Sequence, residues 1–253
     1  MTAEAKRGEC LMDRAVYERM DALEATHWWF AARRDIIRAI IERHVPLPED
    51  ARVLEAGCGT GGNLQMLSEF GHLDAFEYDA AAREAAERKS GMKIPFGALP
   101  DDIPFDTTSY HMIGLFDVLE HIEQDLPALK SLGGRLAPDG RIVVTVPAFP
   151  WLWSKHDERH HHFRRYTKAS LSAVAEAAGL EVERSFYFNS FLFPAAVGAR
   201  AAKAIVRSDT PDDARPAEWV NSMLYNVFSF EKRLVGRVPM PAGLSLGAVL
   251  VKG

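Results

Sequence analysis

The amino-acid sequence predicts an α/β protein in which a mostly parallel sheet of seven strands is covered by helices on both faces. Short apolar segments alternate with amphipathic helical segments, and a glycine-rich turn follows the first strand. This alternation is typical of parallel sheets, because each parallel connection needs a crossover segment. We expect an N-terminal helical lid over residues 1–46, a core over 47–190 and 241–253, and a helical insertion over 191–240 that forms a cap or a dimer contact.

The hydrophobic periodicity of the chain predicts its elements in order. Val16, Met20, Ile36 and Ile40 repeat at helical spacing, which predicts a helix over 11–45. Prolines just beyond it end this helix. The other predicted helices cover 63–70, 80–89, 126–136 and 167–178, and the predicted strands cover 51–56, 73–77, 93–96, 110–116, 141–146, 181–188 and 244–251.

Composition excludes several classes of protein. With 47% hydrophobic and 26% charged residues, the 253-residue chain is typical of a soluble globular protein. Its net charge of −5 provides no field that would attract nucleic acid. Cys10 and Cys58 cannot form a disulfide framework, so we expect a cytoplasmic protein. Pro194 and Arg200 interrupt the most apolar segment, 191–206, which is shorter than the roughly 20 residues of a membrane span. Membrane contact is therefore not expected.

The sharpest motif is the segment VLEAGCGTGGN, in which a predicted strand runs into glycines and then into a helix. Gly57, Gly59 and Gly62 match the dinucleotide pattern GxGxxG, and Glu77 follows where an acid binds ribose hydroxyls. Glu55, two residues before the first glycine, would oppose a pyrophosphate but suits a cationic ligand. An adenosine with an ammonium and sulfonium tail therefore fits this loop better than NAD.

The ordered motifs resemble those of class I S-adenosylmethionine-dependent methyltransferases, most closely the bacterial small-molecule branch of the type 11/12 kind. The resemblance covers most of residues 28–190 and implies a Rossmann-like fold and methyl transfer to a small-molecule acceptor. Its motifs are VLEAGCGTGGN, FEYD, LPDDIPF, FDVLEHI, LAPDGRIVVTVP and RRYTKASL.

The resemblance also implies a site for S-adenosylmethionine. Glu77 would hold the ribose diol, Glu55 would reach the ammonium through water, and Arg33 would bind the carboxylate. The aromatic residues around Trp29 either close a lid over the cofactor or pack the arm onto the core. The complete set is Trp29, Arg33, Glu55, Gly57, Gly59, Gly61, Glu77, Tyr78, Leu99, Phe116, Asp117 and Val118.

Three histidines are candidates for a general base. Segment 151–166 follows the fifth predicted strand, at the sheet edge where α/β proteins bind ligands. In this segment His156, oriented by Asp157, or His162 would accept a proton from the acceptor, because the pKa of histidine suits that task. His121 is the third candidate. A purely structural role for this segment stays open.

Whether Asp117, Glu120 and His121 bind a divalent metal ion also stays open. Some relatives bind such an ion with residues at this helical spacing, but no metal ligand is assigned here.

Oxygen is the expected acceptor atom, ahead of nitrogen or carbon. The insertion makes a homodimer a further expectation. An NAD(P)-dependent oxidoreductase and a non-catalytic cofactor-binding partner protein are the alternatives. Glu55 argues against the oxidoreductase, and the histidine-rich segment 151–166 argues against a non-catalytic protein.

Overall fold

The computed structural model describes residues 21–106, 109–206 and 216–253, and the side chains of residues 200–206 are not described. Cys10, Val16 and Met20 therefore lie outside the described residues, as does the central part of the predicted insertion.

A mixed sheet of six strands forms the centre of the described fold, in the order β2-β1-β3-β4-β6-β5. All pairs from β2 to β4 are parallel, and β6 runs antiparallel to both of its neighbours. The fold is therefore the expected Rossmann-like one. The strands are β1 Arg52–Ala56, β2 His72–Phe76, β3 Tyr110–Phe116, β4 Leu136–Pro147, β5 Leu180–Phe188 and β6 Ser245–Lys252.

The strand predicted over residues 93–96 does not form, and the predicted seven-stranded sheet is not confirmed. This segment makes a single parallel bridge, between Phe96 and Glu77. The N–H of Glu77 donates to the Pro95 carbonyl, and the N–H of Gly97 donates to the Glu77 carbonyl. Pro95 has no N–H to extend the ladder, so the pairing stops after one residue.

The helices cover both faces of the sheet. The helix predicted over 11–45 is interrupted in the described part of the chain: residues 21–23 are helical, residues 24–26 form a turn, and a new helix begins at Trp28. His27 accepts a hydrogen bond from the Trp29 N–H and so caps the new helix. The helices are α1 Trp28–His44, α2 Leu64–Leu67, α3 Ala80–Ser90, α4 Asp125–Gly133, α5 Lys155–Arg159, α6 Lys168–Ala177, α7 Phe193–Val206 and α8 Glu218–Phe230.

Two hydrophobic cores lie on opposite faces of the sheet. Val53 and Leu54, which are adjacent in β1, belong to different cores because successive strand side chains point to opposite faces. Ile36 and Ile40 of α1 are fully buried on the face that Val53 occupies. Each such side chain contributes about 1.5–3 kcal/mol of burial free energy. These isoleucines therefore fix α1 beside the carboxyl ends of the central strands.

Helix α8 packs against α1. The side-chain oxygen of Asn221 accepts a hydrogen bond from the Trp28 N–H at 3.0 Å, and its amide nitrogen donates to the Thr26 carbonyl at 3.0 Å. Lys232 pairs with Asp35 of α1 at 2.8 Å. The start of α1 is thus held by a helix from the predicted insertion. Among the helices of the described ranges, none has both the length and the apolar character that crossing a membrane requires.

Candidate active site

A cavity of about 380 Å³ lies at the carboxyl ends of the central parallel strands, beside α1. Twelve of the fifteen residues assigned to the site from the sequence line it. These twelve are Trp29, Arg33, Glu55, Gly57, Gly59, Glu77, Tyr78, Leu99, Phe116, Asp117, Val118 and His121. Gly61, His156 and His162 do not belong to the lining.

The glycine loop forms one wall of the cavity. The Gly57 N–H donates to the Phe76 carbonyl at 3.0 Å, which ties the loop to β2. Gly59 has a φ of +55°, and a Cβ there would meet no atom within 4 Å, so its backbone stays accessible to a ligand. Gly61 has a φ of +87°, and a Cβ there would lie 2.9 Å from the Cα of Ala86 in α3. Gly61 therefore allows the loop to pack on α3.

The carboxylate of Glu77 lies at the end of β2 and is only 5% exposed. Its oxygens accept hydrogen bonds from the Gly59 N–H at 2.8 Å and the Asp79 N–H at 2.9 Å. Burial raises the pKa of Glu77, and these backbone donors oppose that rise. Because a carboxylate has about four acceptor positions, two remain for ligand hydroxyl groups. Tyr78 and Leu99 line the same end of the cavity.

Glu55 lies behind the glycine loop, almost fully buried. One of its oxygens accepts a hydrogen bond from the Asn63 amide at 2.8 Å, and the other has no partner. Burial raises the pKa of Glu55 to about 8. A buried oxygen without a donor is costly, and a cationic or N–H ligand group would satisfy it. This observation fits a cofactor that carries an ammonium group.

Arg33 reaches from α1 to the end of β3. Its guanidinium lies 2.6 Å from the carboxylate of Asp117, donates to the Thr145 hydroxyl at 3.2 Å and lies over the Trp29 ring. Asp117 has a φ of +55°, an uncommon conformation that turns the chain after β3. The Nε of Arg33 is buried and has no partner. Arg33 thus joins α1 to the core and keeps its Nε–H available for an anionic ligand group.

The structure pairs Asp157 with His162 rather than with His156. The Nδ1 of His162 lies 2.9 Å from Asp157, and Arg165 makes two bonds of 2.7 and 2.9 Å to the same carboxylate. Although burial opposes it, hydrogen bonds from His162 and Arg165 hold the pKa of Asp157 below its usual value. Asp157 is fully buried, so this cluster is part of the core of the segment.

The three candidate bases differ in position. The ring of His156 lies 3.9 Å from that of His160, and burial lowers the pKa of His156 to about 3. His121 lines the cavity, and its Nδ1 is buried without a partner. Burial also lowers the pKa of His121. His162 contacts His121 edge-on, with ring centroids 4.6 Å apart. The structure therefore joins His121 and His162 and leaves His156 away from the cavity.

The structure groups different residues from the three considered as metal ligands in the sequence, which were Asp117, Glu120 and His121. Glu120, His121 and His162 bring one ligand atom each to within 4.8 Å of one another. Asp117 is not in this group, because its carboxylate faces Arg33. Sequence spacing placed Asp117 on the same helical face, but the segment after β3 begins as a strained turn and continues as a short 3₁₀ helix at Leu119–His121.

Several lining residues were not assigned to the site individually from the sequence. Phe30 lies in the predicted lid and Phe163 in segment 151–166, both of which the sequence placed near a ligand. Asn63 stands inside the glycine motif, so its position was a usable signal. Glu24 had no such signal, because only folding brings the N-terminal turn to the cavity. The lining residues outside the assigned set are Glu24, Phe30, Arg34, Cys58, Gly62, Asn63, Phe76, Gly97, Ala98, Pro100, Ile122, Glu123, Gln124 and Phe163.

Comparison with known proteins identifies the family of the chain. A family model described as a methyltransferase domain matches residues 28–185, and the chain belongs to this family. No curated protein matches the chain. The structure resembles a chain of the Haloferax volcanii complex between the Trm112 methyltransferase activator and a methyltransferase, at 18% identity and a TM-score of 0.62, with 94% of each chain covered.

Two further solved structures share the fold. The TehB-like S-adenosylmethionine-dependent methyltransferase from Corynebacterium glutamicum is 21% identical, with a TM-score of 0.52 and 88% of each chain covered. The O-methyltransferase NcsB1 from neocarzinostatin biosynthesis, solved with S-adenosylmethionine and 2-hydroxy-5-methyl naphthoic acid, is 13% identical, with a TM-score of 0.55. That match covers 94% of this chain and 57% of the other. The protein is an S-adenosylmethionine-dependent methyltransferase, as its sequence motifs predict.

Proposed function

We propose that this enzyme transfers the methyl group of S-adenosylmethionine to a hydroxyl oxygen of a small molecule. The observation that carries the proposal is one continuous cavity that joins the carboxylates of Glu55 and Glu77 to the His121 imidazole. The two carboxylates suit the cationic and ribose parts of the cofactor. The imidazole lies where the remaining space can hold an acceptor.

The cofactor is held through groups of opposite polarity. Glu77 accepts hydrogen bonds from the ribose diol with its two remaining acceptor positions. The unpartnered oxygen of Glu55 faces the ammonium, directly or through water, and the free Nε of Arg33 faces the carboxylate. Tyr78 and Leu99 provide the adenine surface. Because these groups are anchored by backbone or ion-pair contacts, little conformational entropy is lost on binding.

Rate enhancement comes mainly from alignment and from exclusion of water. Bound S-adenosylmethionine supplies a methyl group that its sulfonium already activates. Trp29 and Phe30 of α1 line the cavity opposite Phe116 and Val118 of the core. We infer that α1, within the predicted N-terminal lid, shields the reacting atoms from solvent. Holding a nucleophile in line with such a donor removes much of the entropic part of the barrier.

The acceptor proton leaves at the His121 end of the cavity. Of the three candidate histidines, His121 alone belongs to the cavity lining, and its Nδ1 has no partner. A hydroxyl acceptor must lose its proton as it is methylated, so it requires such a group more than a carbon acceptor does. The O-methyltransferase NcsB1, which shares the fold and was solved with the hydroxylated small molecule 2-hydroxy-5-methyl naphthoic acid, supports this choice.

Calorimetric titration separates this proposal from the nicotinamide alternative. We expect S-adenosylmethionine and its demethylated product to bind, and NAD not to bind. Binding of NAD alone would overturn the proposal. A panel of phenols, sugars, amines and lipid-linked acceptors, assayed for methyl transfer, then identifies the acceptor class. Transfer to amines only would refute the oxygen assignment and leave the methyltransferase assignment in place.

A further inference from the structure

Three potential ligand groups meet where the His121 end of the cavity joins the protein core. Glu120 is 1% exposed, and its Oε2 has no hydrogen-bond partner. The Nδ1 of His121 is also buried without a partner. His162 completes the group, with one ligand atom from each residue lying within 4.8 Å of the others. A buried polar group without a partner destabilises the fold unless a ligand satisfies it.

Each of the two imidazoles has one nitrogen that can carry a free lone pair. The Nδ1 of His162 is bonded to the carboxylate of Asp157, so its proton lies on Nδ1 and Nε2 carries the lone pair. The Nδ1 of His121 is buried and has no hydrogen-bond partner, so in the tautomer protonated on Nε2 it carries a free lone pair. Outer contacts such as the one between His162 and Asp157 orient histidines that bind metal ions.

The neighbouring charges pair with one another and leave Glu120 uncompensated. Arg33 lies 2.6 Å from Asp117, and Arg165 makes two bonds to Asp157. Within the ranges that the structure describes, Glu120 makes no ion pair. The site therefore combines one buried carboxyl group with two imidazole lone pairs and has no cation of its own.

We propose that Glu120, His121 and His162 bind a divalent transition-metal ion. Two imidazoles and one carboxylate suit Zn²⁺ and the neighbouring first-row ions, whereas Mg²⁺ and Ca²⁺ prefer all-oxygen sites. Bonds of about 2.0–2.1 Å place tetrahedral ligand atoms about 3.3 Å apart, so the three side chains contract by up to about 1.5 Å on binding. This set replaces Asp117, considered from the sequence, with His162.

Three protein ligands leave the fourth position of a tetrahedral ion open, as in catalytic zinc sites. Because His121 lines the cavity, an ion held by its imidazole would lie beside the end of the cavity that we propose for the acceptor. With the ion bound, the His121 lone pair is no longer available as a base. The cation would take over that part by lowering the pKa of the acceptor hydroxyl, whose proton then leaves to solvent. The oxygen–carbon bond then forms as the sulfur–carbon bond breaks, and a neutral thioether leaves. This consequence rests on the proposed function, whereas binding of the ion does not.

To test this site, the full chain is first stripped of metal ions with a chelator. The stripped protein is then titrated with ZnCl₂ in a calorimeter. Co²⁺ absorption spectra report the coordination geometry independently. Glu120→Gln preserves side-chain shape, and His162→Gln is the second variant in case the first does not fold. His161→Asn is the matched control, because His161 is exposed and has a φ of +53°, a conformation that asparagine tolerates. Thermal unfolding verifies the fold of every variant.

We expect one equivalent of Zn²⁺ to bind the parent protein and the control, and roughly tenfold or weaker affinity in the ligand variants. Absence of binding in the parent, or equal affinity in all four proteins, would overturn the proposed site. Titration of the same stripped sample with S-adenosylmethionine distinguishes this failure from failure of the proposed function. Methyl transfer unchanged by stripping would refute a catalytic part for the ion and leave the His121 imidazole as the base.

Discussion

The two ends of the cavity are built differently. At the glycine-loop end, both oxygens of Glu77 accept backbone hydrogen bonds, from Gly59 and Asp79. At the histidine end, Glu120 and His121 each keep a buried polar atom without a partner. At the first end the Glu77 carboxylate is oriented before any ligand arrives, and one oxygen of Glu55 is the group left without a partner. The second end stores unsatisfied polar groups, a state that proteins keep where a ligand or an ion completes the site.

The two ends also differ in how much chain they require. The glycine-loop end is built largely from residues 55–79, which form one strand–loop–helix–strand unit. The histidine end combines segment 117–123 with segment 154–166. The Phe163 N–H donates to the Glu120 carbonyl at 2.8 Å and joins the two segments. We therefore expect mutations to affect binding at the first end and stability at the second.

The largest expected effect concerns the Asp157 cluster. Asp157→Asn leaves Arg165, which is 7% exposed, without its buried charge partner. Breaking a buried ion pair in this way costs about 3–5 kcal/mol of unfolding free energy. Denaturant unfolding measures the loss. Glu158→Gln, at the exposed neighbouring position, is the control and is expected to change stability by less than about 0.5 kcal/mol. Equal stability of both variants would contradict the contrast drawn above.

At the opposite end, Glu77→Ala is expected to weaken S-adenosylmethionine binding about 100-fold. The change removes two hydrogen bonds to a charged acceptor, and at the lower end of the usual range, about 1.5 kcal/mol each, the loss of about 3 kcal/mol corresponds to roughly 100-fold. Calorimetry measures the affinity. Glu77→Asp keeps the carboxylate and should retain most of the binding. Unchanged affinity in Glu77→Ala would remove this residue from the cofactor site.

Glu55 predicts a pH dependence of stability. Its pKa rises from 4.5 to about 8 on folding, so the folded chain binds more protons than the unfolded chain between these values. The stabilisation that Glu55 contributes to the folded state is therefore fully present below pH 4.5 and is lost as the pH rises toward 8. Relative to Glu55→Gln, the parent should lose about 1–3 kcal/mol between about pH 5 and about pH 8. Unfolding curves measure the slope, and Glu49→Gln is the exposed control. Parallel profiles for the parent and Glu55→Gln would contradict the prediction.

The smallest expected effect concerns His156. Because its ring lies outside the cavity lining, His156→Gln should lower kcat by no more than roughly threefold, or about 0.6 kcal/mol. His121→Ala should lower kcat much more, with little change in cofactor affinity. Single-turnover kinetics at saturating cofactor compare the two variants. A larger loss in His156→Gln would return the role of base to that residue.

Local sequence was sufficient where one segment builds the structure. The helix predicted over 80–89 forms as α3, and Asp79 directly before it caps the helix by accepting the Ala82 N–H at 2.8 Å. The strand over 110–116 has the predicted bounds. Prediction failed at residues 93–96, where Pro95 limited pairing, and at residues 24–27, where a turn and the His27 cap interrupt the helical periodicity.

The sequence by itself determined the parallel α/β order, the methyltransferase family and the placement of Glu55 and Glu77 around the glycine loop. These features depend on short-range spacing, which strand and turn geometry convert directly into position. Only the tertiary structure decided that Asp157 pairs with His162 and that Asp117 pairs with Arg33. Both pairings depend on which buried charges meet after distant segments pack, and no local pattern encodes that choice.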